Sequence, residues 1–318
     1  MASTGRDINF DLKRIEGYRN FCNKLWNASR FIMLTCDDYN YEENLSTTDA
    51  TIFDKWIMYK LDYVISDFKK YSSTYRFDLM ANSIYDFVWN EYCDWYLEIA
   101  KNNTSDTTKK FLIYSLIRIL KICHPIIPFI TEEIWSELSK NKFVSEDSLT
   151  NSSFPSQVRI SKESDIDTRV TDIKEMIKKI RKTRTELGIH PKNKFKVEIL
   201  INNKVLSQDI LNNITLVNSL SGIELSIIKK EERESNDFIQ LIHNKFSLYL
   251  YIKSMINIKD EIKKIGKNII QLESVLKKID SKLNNKSFIE KAPSEIINQN
   301  VSNRKKISNE ILSLENLK

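Results

Sequence analysis

From Ile258 the chain places Ile258, Ile262, Ile265, Ile269, Leu272, Leu276, Ile279 and Leu283 at alternating steps of four and three residues. An apolar repeat of that kind is the seam of a coiled-coil helix, and no strand or irregular segment can use it. Asn284, Asn285, Lys286 and Ser287 break the helix, and Pro293 fits the first turn of a second one. The return segment carries Ile297, Val301, Arg304, Ile307, Ile311 and Leu314. Two seams joined by so short a link predict an antiparallel hairpin. At ~1.5 Å per residue the outgoing helix reaches roughly 40 Å. Arg304 falls on the return seam and is expected to carry its charge out to solvent along its apolar stem.

Charge is concentrated in the same segment. The 318 residues have a formal net charge of +6, and residues 253–318 hold 14 Lys and Arg against 8 Asp and Glu. The rest of the chain is balanced. A basic protruding element suits a polyanion, nucleic acid before membrane. A lysine-rich solvated coiled-coil face explains the charge equally well.

With only five Gly and five Pro, long helices are favoured over turn-rich β architecture. Residues 11–35 read as an amphipathic helix through Ile15, Tyr18, Phe21, Cys22, Leu25, Trp26, Phe31 and Ile32. Further helices are expected over 50–71 and 77–101, with Ser72, Ser73 and Thr74 as the break. Asp106 is the expected N-cap of a fourth helix. His124–Pro125 should end it, and Pro128 should open the next. Residues 11–145 thus form a helical bundle with an aromatic core. A polar stretch from Lys140 to Ser161 separates it from an α/β module over 160–252. That module has helices expected at 172–187 and 207–220 and strands at 195–201, 223–228 and 246–252. Residues 253–318 are the hairpin arm. The fold class is mainly α: bundle, small α/β junction module and antiparallel coiled-coil hairpin.

Catalytic chemistry is hard to find. No GxxxxGK[ST], GxGxxG or GxSxG occurs. His124, His190 and His243 are isolated, and a structural role is expected for His124. Glu132 and Glu133 suit a helix start. The four Cys, at 22, 36, 93 and 123, form no CxxC pair, so neither a zinc site nor a disulfide framework is expected. No secretory leader or membrane-length apolar run is seen, and a cytoplasmic location is expected. On its residues alone the chain reads as a binding module with no catalytic residues and no metal.

Several stretches resemble, in order, the C-terminal part of the valyl-tRNA synthetases, class I aminoacyl-tRNA synthetases. ASTGRDINFD (2–11) is similar to the end of the family's catalytic half, so residues 1–10 read as its remnant. EGYRNFCNKLWNASRFIML (16–34), YRFDLMANSIYDFVWNEYCDWYLEIAK (75–101) and HPIIPFITEEIW (124–135) resemble helices of its anticodon-binding bundle. IRKTRTELGIHPKNKFKV (180–197) resembles the junction module, and FIEKAPSEII (288–297) the turn of the tRNA-binding arm.

The resemblance implies that the bundle holds the valine anticodon and the arm the corner of the tRNA. Unpaired bases are read by stacking and by hydrogen bonds to their edges. The anticodon candidates are Asn23, Lys24, Asn27 and Arg30, with Asn23, Asn27 and Arg30 sharing one helix face, plus Arg76 and Phe77. Pairing with bundle carboxylates is the alternative for Arg30 and Arg76. The backbone candidates are Lys263, Lys264, Lys267, Lys277, Lys278, Lys282, Lys286, Arg304, Lys305 and Lys306. The family joins valine to its tRNA with ATP and magnesium. Its HIGH-type, KMSKS-type and editing parts are missing from this chain, which is therefore expected to be inactive alone and a monomer; it reads as a fragment, a truncated gene product, or one half of an enzyme completed by a separate catalytic polypeptide. The rival readings are a coiled-coil scaffold and a non-specific RNA-binding remnant.

Overall fold

The computed structural model describes residues 12–43, 48–103, 105–158, 165–228, 238–252, 258–284 and 294–315. They belong to two compact units, 1–177 and 178–318.

The first unit is an antiparallel helical bundle. It comprises α1 (Leu12–Thr35), α2 (Ile52–Ser73), α3 (Phe77–Asp86), a π-helical segment π1 (Phe87–Tyr96), α4 (Leu97–Ala100), α5 (Asp106–Cys123) and α6 (Pro128–Lys140). A 3₁₀ turn (Leu149–Asn151) follows, and then the first half of α7 (Ile166–Glu186). Trp56, Trp135, Tyr92, Tyr96 and Phe111 are almost fully enclosed. Truncating any one of them to Ala costs about 3–5 kcal/mol.

The buried carboxylate of Asp54 is satisfied inside the bundle. Thr51 and Asp54 form a reciprocal capping box at the start of α2. Asp54 is buried and also accepts from Tyr96 Oη at 2.6 Å. Burial pushes its carboxyl above the ordinary range, and the bonds from Tyr96, Thr51 and Thr108 offset only part of that.

Several expected boundaries shift. The cap of α5 is Ser105, not Asp106: its hydroxyl accepts from Thr108 N at 3.3 Å. Asp106 occupies the first turn, where its charge suits the helix dipole. Because α6 begins at Pro128, Glu132 and Glu133 lie beyond its first turn. Glu132 instead accepts from Leu149 N at 3.1 Å. The helix expected from 172 starts at Ile166, since Ile166, Val170, Ile173 and Ile177 are all buried.

The second unit contains the last turns of α7, then β1 (Phe195–Ile201), α8 (Lys204–Asn212), α9 (Ile214–Ser221), β2 (Ile223–Ile227), β3 (Ile239–Ile242) and β4 (Phe246–Tyr251). The sheet order is β2-β1-β4-β3. β1 and β2 are parallel, joined through α8 and α9, while β4 is antiparallel to both β1 and β3. The helix expected over 207–220 is two helices that break at Asn213, whose side-chain amide bonds back to Asp209 O at 2.8 Å. β3 has no counterpart in the sequence reading. As an edge strand with alternating exposure, it lacks a buried apolar run.

Arg184 of α7 ties this module together. Its guanidinium donates to His190 O, Pro191 O and Asn193 O, and to Ser221 O and Gly222 O, while lying over the Phe195 ring. Burial lowers its proton affinity. Gly222 caps α9 in the left-handed conformation (φ 65°). A Cβ there would meet Arg184 Nη2 at 2.9 Å, so the glycine admits both the turn and the arginine.

The arm consists of α10 (Ile258–Leu283) and α11 (Ser294–Glu315), which pack against each other. Ile269, Ile311 and Leu314 are buried, and Leu272, Leu276, Ile279 and Leu283 are half-buried. The α10 seam is thus occupied by the chain's own return helix. On α11 the seam runs through Asn300 rather than Val301, which is half exposed. Positions 297, 300, 304, 307, 311 and 314 then form a regular heptad, with Asn300 and Arg304 as two polar steps. The junction residues 285–293, including Pro293, lie outside the described residues.

Candidate nucleic-acid interface

In α1 the apolar positions Phe21, Leu25, Ala28 and Ile32 face the bundle. Asn23, Asn27 and Arg30 therefore emerge together on the solvent side, all three exposed. None makes a side-chain hydrogen bond or ion pair with another described residue. Each amide offers a donor and an acceptor, and Arg30 a planar fork of donors. Arg30 stands in a shallow cleft with Trp26, Met33, Leu34 and Glu137.

Lys24, on the border of this strip, is engaged. Its ammonium lies 3.8 Å from the Trp89 ring centre and 2.5 Å from Asp94 Oδ1. Farther along, Lys101 lies 5.6 Å from the Phe31 ring. Lysines and rings thus alternate along the edge where α1 meets π1 and α4.

Arg76 and Phe77 are elsewhere. The side-by-side contacts of Phe21 with Tyr85 and of Lys24 with Trp89 set α1 parallel to α3–π1. Phe77 therefore lies near the start of α1, roughly 25 Å along the bundle from Arg30 by helix rise. Arg76 makes a two-pronged bond to Asp78, at 2.9 Å for each prong, which holds the Asp78 carboxyl below its ordinary range. The carboxylate-paired alternative describes Arg76 and not Arg30. Phe77 is exposed and meets the exposed Tyr75 edge-on. Tyr75 holds a positive φ of 55°, rare for an aromatic residue.

On the arm, Lys267, Lys277, Lys278, Lys282, Lys305 and Lys306 are exposed. Arg304 is not a free cation. Its Nε donates to Asp280 Oδ1 at 2.6 Å, across from α11 to α10. Its side chain does reach solvent, but it is tethered there. Lys263 and Lys264 belong to α10 with side chains outside the described set, and Lys286 lies outside it altogether.

Nothing among the described residues suggests covalent or metal chemistry. Among the described residues no group of three or more His, Cys, Asp and Glu side chains could hold a metal ion. The thiols of Cys36 and Cys93 are pushed up to about 12 by burial, which suppresses the reactive thiolate. His124 is held on both ring nitrogens, by Thr131 Oγ1 at 2.9 Å and Thr150 Oγ1 at 3.3 Å. Among the described residues no helix is long and apolar enough to cross a membrane.

Comparison with known proteins agrees with this geometry. Residues 54–200 match the family described as "Anticodon-binding domain of tRNA ligase". Residues 257–316 match "Valyl tRNA synthetase tRNA binding arm". A valine–tRNA ligase of Legionella pneumophila (strain Lens) is 35% identical over 309 residues, covering 93% of this chain and 33% of the relative. One from Buchnera aphidicola subsp. Acyrthosiphon pisum is 32% identical over 306 residues, covering 94% and 32%. The chain spans about a third of the length of the curated relatives it matches. With a matching anticodon-binding bundle and a matching arm, the chain is similar to the C-terminal, tRNA-binding part of the valine–tRNA ligases.

Proposed function

We propose that this chain binds the valine tRNA, holding the anticodon loop with the bundle and the outer corner of the tRNA with the arm. In this reading it serves ATP-dependent attachment of valine. ATP and magnesium act in the catalytic part of such a ligase, supplied as a separate polypeptide or as more of the same protein, and no residue here is assigned to them. The protein acts as a monomer.

The observation that carries this reading is the combination, in one chain, of the strip Asn23, Asn27 and Arg30, without partners among the described residues, with the exposed lysines of a long hairpin. The strip has the chemistry to read base edges. Lysines on a helical rod give affinity to phosphates without sequence choice. A scaffold pairing through the α10 seam is disfavoured because α11 already covers that seam.

The test is anisotropy titration of valine tRNA, and of a copy with a changed middle anticodon base, across a salt series. Tighter binding of the native tRNA with a steep salt dependence is expected. Equal, salt-sensitive binding of both would reduce the chain to a non-specific RNA binder. Absence of binding would reject the proposal. Mixing with the catalytic part of a relative is expected to restore aminoacylation.

A further inference from the structure

Beside the polar strip of α1 lies an aromatic cluster to which the reading above assigns no role. Phe21, Tyr85 and Trp89 hold three nearly parallel rings. Their centroids are 5.0 Å apart for Phe21–Tyr85, 5.6 Å for Tyr85–Trp89 and 6.5 Å for Phe21–Trp89, with interplanar angles of 24°, 11° and 18°. Phe21 is buried and forms the floor, while Tyr85 and Trp89 are half-buried at the surface. Parallel rings opening toward solvent are the arrangement on which nucleobases stack.

What covers Trp89 is unusual. Its ring face carries the ammonium of Lys24, 3.8 Å from the ring centre, where a core tryptophan would carry an apolar side chain. Asp94 holds that ammonium from the other side. The π segment makes this possible. Trp89 and Asp94 are five residues apart, one step of the π hydrogen-bond pattern, so both can meet the same lysine. In a regular α-helix, residues five apart diverge around the axis. π segments are rare and are frequently found at functional sites.

Both contacts of the cover are weak ones. The ion pair is partly exposed, with side-chain accessibilities of 24% and 48%, and solvent screens it. A cation–π contact at such a site is equally modest. Lys24 is also flanked in sequence by Asn23 and, one turn on, by Asn27, both exposed.

We propose that Trp89 is the stacking seat for one unpaired base of the loop held by the bundle. Lys24 is its displaceable cover. When the base enters, it replaces the ammonium on the indole face, and Lys24 turns to the phosphate of that nucleotide. The seated base then lies beside Asn23 and Asn27, which read its edge. Tyr85 supports the indole from behind. This proposal rests on the anticodon-binding reading and deepens it, since it names the residue that holds a base rather than one that reads it.

The experiment uses the full chain and two RNA probes: a hairpin whose single-stranded loop carries the valine anticodon, and a fully paired duplex of equal charge. Trp89→Ala is expected to weaken hairpin binding roughly tenfold and to leave duplex binding unchanged. Trp89→Phe keeps a ring and should retain most of the affinity. Hairpin RNA is expected to quench tryptophan emission in the natural chain, and that component should vanish in Trp89→Phe. Melting curves check the fold. If Trp89→Ala fails to fold, the emission comparison with Trp89→Phe decides. If the natural chain prefers the hairpin, but neither affinity nor quenching changes in the variants, the stacking seat is wrong and the anticodon reading stands. If the natural chain binds hairpin and duplex alike, both fall together.

Discussion

Neutralising one face of the arm tests its role quantitatively. On the heptad wheel Lys278, Lys282 and Lys306 lie on one face of the hairpin, and Lys277 and Lys305 on the other. All five are exposed, so replacement by Gln should not disturb the seam. Each lysine that meets a phosphate contributes about 0.9 to the slope of log affinity against log salt. Three such contacts are worth about 2.7, which between 50 and 200 mM salt amounts to roughly a fortyfold change in affinity. A single RNA surface can engage only one face. The triple variant is therefore expected to flatten the slope by about 2.7 or by much less, and the double variant to do the reverse. The assay is anisotropy titration of tRNA at four or more salt concentrations. Equal flattening by both variants would refute the one-face geometry. Unchanged slopes in both would refute the arm as a phosphate-binding element.

Four further expectations concern single residues. Arg304→Gln should change the salt slope by less than half as much as Lys→Gln at whichever of Lys305 and Lys306 lies on the engaged face, because Asp280 already neutralises Arg304; equal effects would show the pair opens on binding. Asn27→Ala or Arg30→Ala should narrow the preference for the native anticodon over one with a changed middle base, whereas an equal loss on every tRNA would mark them as structural. Arg184→Leu removes donors from five backbone carbonyls and should destabilise the α/β module by at least about 3 kcal/mol, read as faster amide exchange in β1 and β2; slow exchange would refute the staple role. Asp54 carries a carboxyl raised by burial, so its native state holds a proton that the unfolded chain releases more readily. Its stabilisation is present below the ordinary carboxylate range and is lost as pH rises through the raised value. In urea melts across mildly acidic pH, Asp54→Asn should lack this fall. A fall as steep in the variant as in the natural chain would assign it to another group.

The residues of the site divide sharply by how far the sequence discloses them. Asn23, Asn27 and Arg30 were legible because helical periodicity puts them opposite Leu25, Ala28 and Ile32 whatever the bundle looks like. Arg76 was open between a base contact and a carboxylate pair, and a carboxylate two residues away claims it. Trp89 and Tyr85 carried no reading of their own beyond lying in the stretch 75–101 that resembles a bundle helix. Nothing local announces a π segment, because it arises when tertiary packing imposes a register that the helix alone would refuse.

By itself the sequence determined the periodic features of this protein. The heptad hairpin, the helical bundle and strand β1 follow from spacings of three, four and two, since those spacings dictate which side chains share a face. The basic arm followed from counting charges. Tertiary structure alone decided which polar groups are spoken for. Arg304 is tethered by Asp280, Arg184 collects carbonyls from two separate turns, and Lys24 is drawn over Trp89. The partners of these three cations lie as many as 70 residues away in the chain, and only folding brings them within hydrogen-bond reach.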